Sequence, residues 1–214
     1  MNGREGLEAF LAKSFETHFT RPPEGVVRRA LELYEQEKEL IATDVHSRYP
    51  ATVARSDFDE VVAEVIEIDA RVQATLFYRI ARGLYLHDAT HPFLPYLAYL
   101  MRAKTGAEIY YSADIGPRLN VEHGMGIVVG PRHRIGSDFT IYQGVTLGQR
   151  RVNSPDEKMV IGDHCTVFSG AKLFGTITLG DHVRVAANAV LLTDAEAYST
   201  YAGVPAVKVK VHQP

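Results

Sequence analysis

The sequence has a single cysteine, no long apolar run and no excess of either charge. Each absence removes a class of protein. One cysteine, Cys165, cannot form an intrachain disulfide, which fits a reducing compartment. No stretch approaches the roughly 18 apolar residues of a membrane-spanning helix, so no membrane partner is expected. The N-terminus MNGREGLEAFLAKSFETHF lacks the apolar core and small-residue cleavage site of a secretory leader, so a cytoplasmic location is expected. The 23 Lys and Arg nearly balance 26 Asp and Glu, and the net charge of −3 carries no nucleic-acid signature. What is present is a chain of 214 residues, enough for one large domain or two modest ones with a real core.

The chain has two halves with different patterning. Residues 1–105 read as helical. PPEGVVRRALELYEQEKELIATDVHSRY starts with prolines, which a first helical turn tolerates, and Val26, Val27, Ala30, Leu31, Leu33 and Tyr34 recur near helical spacing. Ser56-Asp57-Phe58-Asp59 caps a further helix expected to run through VVAEVIEIDARVQATLFYRIARGLYL. Pro92 and Pro95 precede a last helix, LAYLMRAKTG, ending at Gly106.

From Glu108 onward aliphatic residues fall at every sixth position, in three runs: Ile109, Ile115, Val121; Val129, Ile135, Ile141, Leu147; and Ile161, Val167, Leu173, Leu179, Val185, Leu191. The tetrads Ile161-Gly162-Asp163-His164 and Leu179-Gly180-Asp181-His182 lie 18 residues apart. Six residues per face and 18 per turn is the arithmetic of a three-sided parallel β-helix over residues 106–214. An antiparallel sandwich would need a two-residue alternation that this half lacks. The register breaks twice. Val121 to Val129 spans a hexad plus two, with the surplus inside His123-Gly124-Met125-Gly126. Leu147 to Ile161 spans fourteen, so a loop is expected to leave the coil at about residues 148–160. Repeat proteins tend to place insertions on a functional face, so both breaks mark a candidate site.

These segments carry a resemblance. VEHGMGIVVG, IYQGVTLG, SGAKLFG and AGVPA, with LIATDVHSRYPA and FYRIARGLYL in the helical half, are similar to serine O-acetyltransferases. The resemblance implies an α+β chain: an N-terminal helical domain followed by a left-handed parallel β-helix of hexapeptide repeats. It implies acetyl-coenzyme A as acyl donor, no metal, a role in cysteine biosynthesis, and assembly as a homotrimer or hexamer. It also assigns residues. His123 is the catalytic base, Glu122 beside it contacts the acceptor, and Glu108, fifteen residues before His123, holds the other ring nitrogen. The family's arginine-histidine pair after the loop reads Glu157-Lys158 here, and its Asp-Pro-Ala reads Tyr49-Pro50-Ala51. The acceptor is therefore serine or a related small molecule; the same fold acting on another amino acid, amine or sugar, or a non-catalytic homologue, stays open. The family's complex with the next enzyme of cysteine synthesis uses a tail ending in isoleucine, which VKVKVHQP lacks, so that partner is not expected.

The residue types suit the chemistry. Histidine titrates near neutral pH, so His123 can accept a hydroxyl proton and return one to a thiolate. Backbone N–H groups between Gly144 and Gly148 are expected, by fold analogy, to polarise the thioester. Small residues on successive coils, Gly148, Ser169, Gly170 and Ala187, suit a pantetheine groove. Arg150 and Lys208, with Arg151 and Lys210, are cations for the cofactor's phosphates. Cys165 reads as a packing residue. His164 and His182 read as stacked turn residues rather than metal ligands.

Overall fold

The computed structural model describes residues 2–151, 154 and 156–212. The chain divides into two compact units, Met1–Thr105 and Gly106–Pro214.

The first unit contains α1 (Gly3–His18), α2 (Val26–Arg48), a 3-10 turn at Pro50–Ala54, α3 (Phe58–Ile66), α4 (Ala70–His87) and α5 (Leu94–Thr105). Asn2 and Glu5 form a reciprocal capping box at the start of α1. The prolines at 22 and 23 lie outside α2, which starts behind Gly25 at φ 74°. The long helix expected through residues 61–86 is two helices. Asp69 stops the first from continuing, because its carboxylate caps α4 by accepting from the Arg71 N–H at 2.9 Å. Pro95 lies inside the first turn of α5, where its missing N–H costs nothing, and Gly106 at φ 69° follows the helix. The unit encloses an ion pair: Arg79 Nε donates to Asp44 Oδ2 at 2.8 Å and Nη2 to Oδ1 at 3.2 Å, with both side chains at most 2% exposed.

The second unit is a β-helix built coil by coil. Its strands are β1 (Glu108–Ile109), β2 (Asp114–Ile115), β3 (Asn120–Glu122); β4 (Val128–Val129), β5 (Arg134–Ile135), β6 (Thr140–Tyr142); β7 (Thr146–Gly148), β8 (Val160–Ile161), β9 (Thr166–Val167); β10 (Lys172–Phe174), β11 (Thr178–Leu179), β12 (Arg184–Val185); then β13 (Val190–Leu191), β14 (Ser199–Gly203) and β15 (Ala206–Val211). The first strand of every coil joins one face, β1-β4-β7-β10-β13. The second joins another, β2-β5-β8-β11, and the third a last face, β3-β6-β9-β12-β14. All these pairings are parallel, and β15 returns antiparallel along β14.

The register is the hexad pattern turned into contacts. Ile109, Val129, Leu147, Leu173 and Leu191 are successive partners on the first face. Ile115, Ile135, Ile161 and Leu179 follow on the second, and Val121, Ile141, Val167 and Val185 on the third. Every one of them is buried. Each buried aliphatic contributes about 1.5–3 kcal/mol relative to exposure, so the stack is the main source of stability in this unit.

Candidate active site

The corner between the third and first faces carries the first register break. In later coils this corner is held by Gly144 at φ 70°, Gly170 at φ 71° and Asn188 at φ 57°, one above another. Gly126, at φ 71°, begins that column. The two surplus residues therefore lie ahead of Gly126 and form a turn of their own. Gly124 N–H donates to Glu122 C=O at 2.8 Å, across a single residue, His123, whose φ is 62°. A three-residue turn with positive φ on a side chain other than glycine is rare and strained. It raises His123 out of the wall, exposed, at the end of β3. Glycine is required next, because residue 124 also stands at positive φ, 88°.

Glu108 reaches the same corner from the first face. Its N–H donates to Ile127 C=O at 2.8 Å, and Gly126 N–H donates to Gly106 C=O at 2.9 Å. Ile109 beside it points into the core, so the half-buried Glu108 side chain lies on the outer surface. Glu122 is half-buried and accepts from Asn120 Nδ2 at 3.0 Å. The hexad pattern did not single out the residues beneath them. Tyr142 is the register partner of Glu122, and its ring lies 6.4 Å from that of His123. Phe168 stacks on Tyr142 one coil on, at 5.2 Å. Their signal was available, because each directly follows an inward aliphatic, as Glu122 does. Ser169 donates to Gln143 Oε1 at 3.1 Å, and Ala187 precedes Asn188 on the next coil, so Ser169, Gly170 and Ala187 continue this corner.

Other expected site residues lie elsewhere. Gly148 ends β7, so it and the residues after it stand at the far corner of the first face. There Arg150 donates its N–H to Glu157 Oε2 at 2.6 Å, and its guanidinium is tied to the Leu192 carbonyl against Gly175. Lys158 is exposed nearby in sequence. The structure thus brings His123, Glu122, Ser169, Gly170 and Ala187 to one corner, and Gly148, Arg150 and Glu157 to another. Lys208, on β15, is paired with Glu196 at 2.7 Å, which raises its pKa. The expected loop at 148–160 includes Val152, Asn153 and Pro155, which lie outside the described residues. In the helical unit, the Tyr49 hydroxyl donates to Asp69 Oδ2 at 2.6 Å; burial and that carboxylate raise its pKa.

Two of the backbone donors suggested for the thioester are taken by coil-to-coil hydrogen bonds: Gly144 N–H donates to Met125 C=O at 2.9 Å, and Thr146 N–H to Ala171 C=O at 3.0 Å. Cys165 is fully buried, its thiol pushed up to about 12 by desolvation, which suits packing and not nucleophilic attack. His164 and His182 stack at 4.6 Å, and His182 stacks on Tyr198 at 4.6 Å. Among the described residues no three His, Cys, Asp or Glu side chains converge as a metal site. No helix among them is long and apolar enough to cross a membrane.

His133, which the six-residue runs do not include, is fully buried, with Nδ1 accepting from the Met159 N–H at 3.0 Å and Nε2 facing the Leu147 carbonyl at 3.2 Å. A carbonyl only accepts, so the ring is the neutral Nε2–H tautomer. It joins the residue before the second register break to the residue after it, and burial lowers its pKa.

Among the described residues five α-helices precede a hexad β-helix with a histidine raised on an inserted corner, the arrangement that the resemblance to hexapeptide-repeat acyltransferases implies. No protein-family model matches the chain. Curated relatives do. It is 41% identical to the serine acetyltransferase of Staphylococcus xylosus over 151 residues, 69% of this chain and 68% of that protein. It is 41% identical to the serine acetyltransferase of Helicobacter pylori strain J99 over 144 residues, 67% of this chain and 83% of that protein. A solved serine acetyltransferase in complex with coenzyme A superposes with a TM-score of 0.77 at 26% identity, covering 98% of this chain and 86% of that one. The chain belongs to the serine acetyltransferase family.

Proposed function

We propose that the protein transfers an acetyl group from acetyl-coenzyme A to the side-chain hydroxyl of serine, with His123 as general base. The observation that carries this reading is the strained turn that lifts His123, beside Glu122, out of an otherwise regular corner, in a chain whose relatives are named for this activity. His123 takes the hydroxyl proton as the serine oxygen attacks the thioester carbonyl. It returns a proton to the sulfur as the C–S bond breaks, giving the acetyl ester and the free thiol. Glu108 accepts from the other ring nitrogen, fixing the tautomer and stabilising the imidazolium.

Glu122 receives the acceptor's ammonium group, and Lys158, with Glu157 beside it, meets its carboxylate as a point charge. Those two residues stand at the far corner of the first face, so this reading places the acceptor pocket between copies of the chain in a trimer. One copy's loop base would meet the next copy's His123 corner. The low corner formed by Gly144, Ser169, Gly170 and Ala187 leaves room for the pantetheine arm, and Gly148 leaves similar room at the other corner. Arg150 and Lys208 lie nearest the role of phosphate cations, Lys208 by exchanging its Glu196 partner. The two units would serve as separate domains, the loop at 148–160 leaving the second.

Steady-state kinetics with free-thiol detection test this. His123→Ala should lower kcat by about 10²–10⁴-fold with the melting temperature unchanged. Undiminished turnover would remove the mechanism. In an acceptor panel serine should give the highest kcat/KM, and sedimentation should give a trimer or a multiple of three.

A further inference from the structure

The helical unit holds a cavity of about 210 Å³ that the acetyl-transfer reading does not use. It opens between α1, the link from α3 to α4, and the last turn of α5, and its chemistry comes from Phe10, Lys13, His18, Glu67, Gln73 and Lys104. It is too small for coenzyme A and suits a ligand of a few heavy atoms.

Its polar groups divide into two sets. The half-buried ammonium of Lys104 sits over the Phe10 ring, 4.7 Å from the centroid, and no carboxylate among the described residues pairs with it. Lys13 lines the same cavity, also without an ion pair among the described residues. Burial holds the Lys104 amine below its ordinary pKa; Lys13 adds to that effect and Glu67 opposes it. The second set accepts. Gln73, itself buried, lines the cavity and donates one amide N–H to the Ile66 carbonyl at 2.6 Å, so its amide oxygen is the acceptor it can offer. His18 Nδ1 lies 2.8 Å from the Ser14 carbonyl and so must donate, which makes Nε2 of the neutral ring an acceptor. Glu67 adds a carboxylate with no cation bound to it among the described residues.

A simple anion would satisfy the lysines and face the second set lone pair to lone pair. A simple amine would do the reverse. A zwitterion satisfies both at once. We infer that this cavity is a second ligand site, which binds a small free amino acid with its α-carboxylate on Lys104 and Lys13 and its α-ammonium on Glu67 and the Gln73 amide oxygen.

Calorimetry on the full chain tests the site, titrating each common amino acid together with propionate, ethylamine and inorganic phosphate. At least one amino acid should bind saturably, and Lys104→Gln should weaken it by about ten-fold or more, the worth of one charge-assisted hydrogen bond. Lys104→Gln should leave the serine KM of acetyl transfer unmoved, which separates this site from the His123 corner. Lys13→Gln, at the exposed rim, should produce a smaller loss in the same direction and serves if Lys104→Gln does not fold. Binding of amino acids that neither substitution weakens would overturn the inference. So would a complete absence of amino-acid binding, or propionate or phosphate binding as tightly as the best amino acid.

Discussion

The two units handle buried polar groups in different ways. The helical unit encloses the Arg79–Asp44 pair and gathers Arg48, Tyr49 and Arg71 around the nearly buried Asp69. The solenoid fills its interior with aliphatics and keeps charged pairs such as Arg118–Asp138, bidentate at 2.6 Å, at its corners. The reason is geometric. Packed helices meet at varied positions, so a charge on α4 can find a partner 35 residues away in sequence. In the coil every inward position stacks on the same position of its neighbours, and a charge there would face two aliphatics. His133 is the instructive exception, because its ring is satisfied by two backbone groups and needs no ionic partner.

This contrast can be tested by breaking each unit in its own way. The largest effect should come from Asp44→Ala, which removes the carboxylate that the buried Arg79 guanidinium donates to twice, at a cost of about 3–5 kcal/mol. Denaturant unfolding followed by far-ultraviolet circular dichroism at the helical band should show an early transition, with the solenoid unfolding unchanged. Leu173→Ala removes the middle of the Leu147–Leu173–Leu191 stack and should cost about 2–5 kcal/mol. Because coils contact only their neighbours, hydrogen exchange should rise in the third to fifth coils and not in the helices. A helical unit that loosened equally would show that the two units share one cooperative transition.

A smaller, pH-dependent effect should attach to His133. Its folded pKa lies below 6.5, so the unfolded chain binds a proton first as pH falls. The histidine's contribution is fully present above pH 6.5 and declines below it, toward the folded value. His133→Gln keeps an acceptor and a donor without titrating, so its unfolding free energy should lack that acid slope. An identical slope in the variant would place the titrating group elsewhere. The smallest effect should come from His182→Ala, which breaks the His164–His182–Tyr198 ladder and should cost about 0.5–1.5 kcal/mol by thermal unfolding.

The solenoid was legible because its repeat and its contacts obey the same count. Every aliphatic assigned to a six-residue run is buried, and the two surplus residues ahead of Gly126 form the raised turn. The helical unit was legible only as helix. The stop between α3 and α4 depends on Asp69 competing for backbone N–H groups, and apolar periodicity does not register a cap placed mid-pattern. Within the candidate site, His123, Glu122 and Glu108 could be named from their places in the chain, whereas Tyr142 and Phe168 needed the register that stacks them.

By itself the sequence determined the coil, its core and the place where the coil is interrupted, since a local period fixes which side chains point inward. Tertiary structure alone decided that Gly148, Arg150 and Glu157 stand at a different corner from His123. It alone made His133 a clasp between Leu147 and Met159, and drew Lys13, Glu67, Gln73 and Lys104 around one cavity. Those groupings join residues from separate coils or helices, and no spacing along a chain encodes how far apart such segments come to rest.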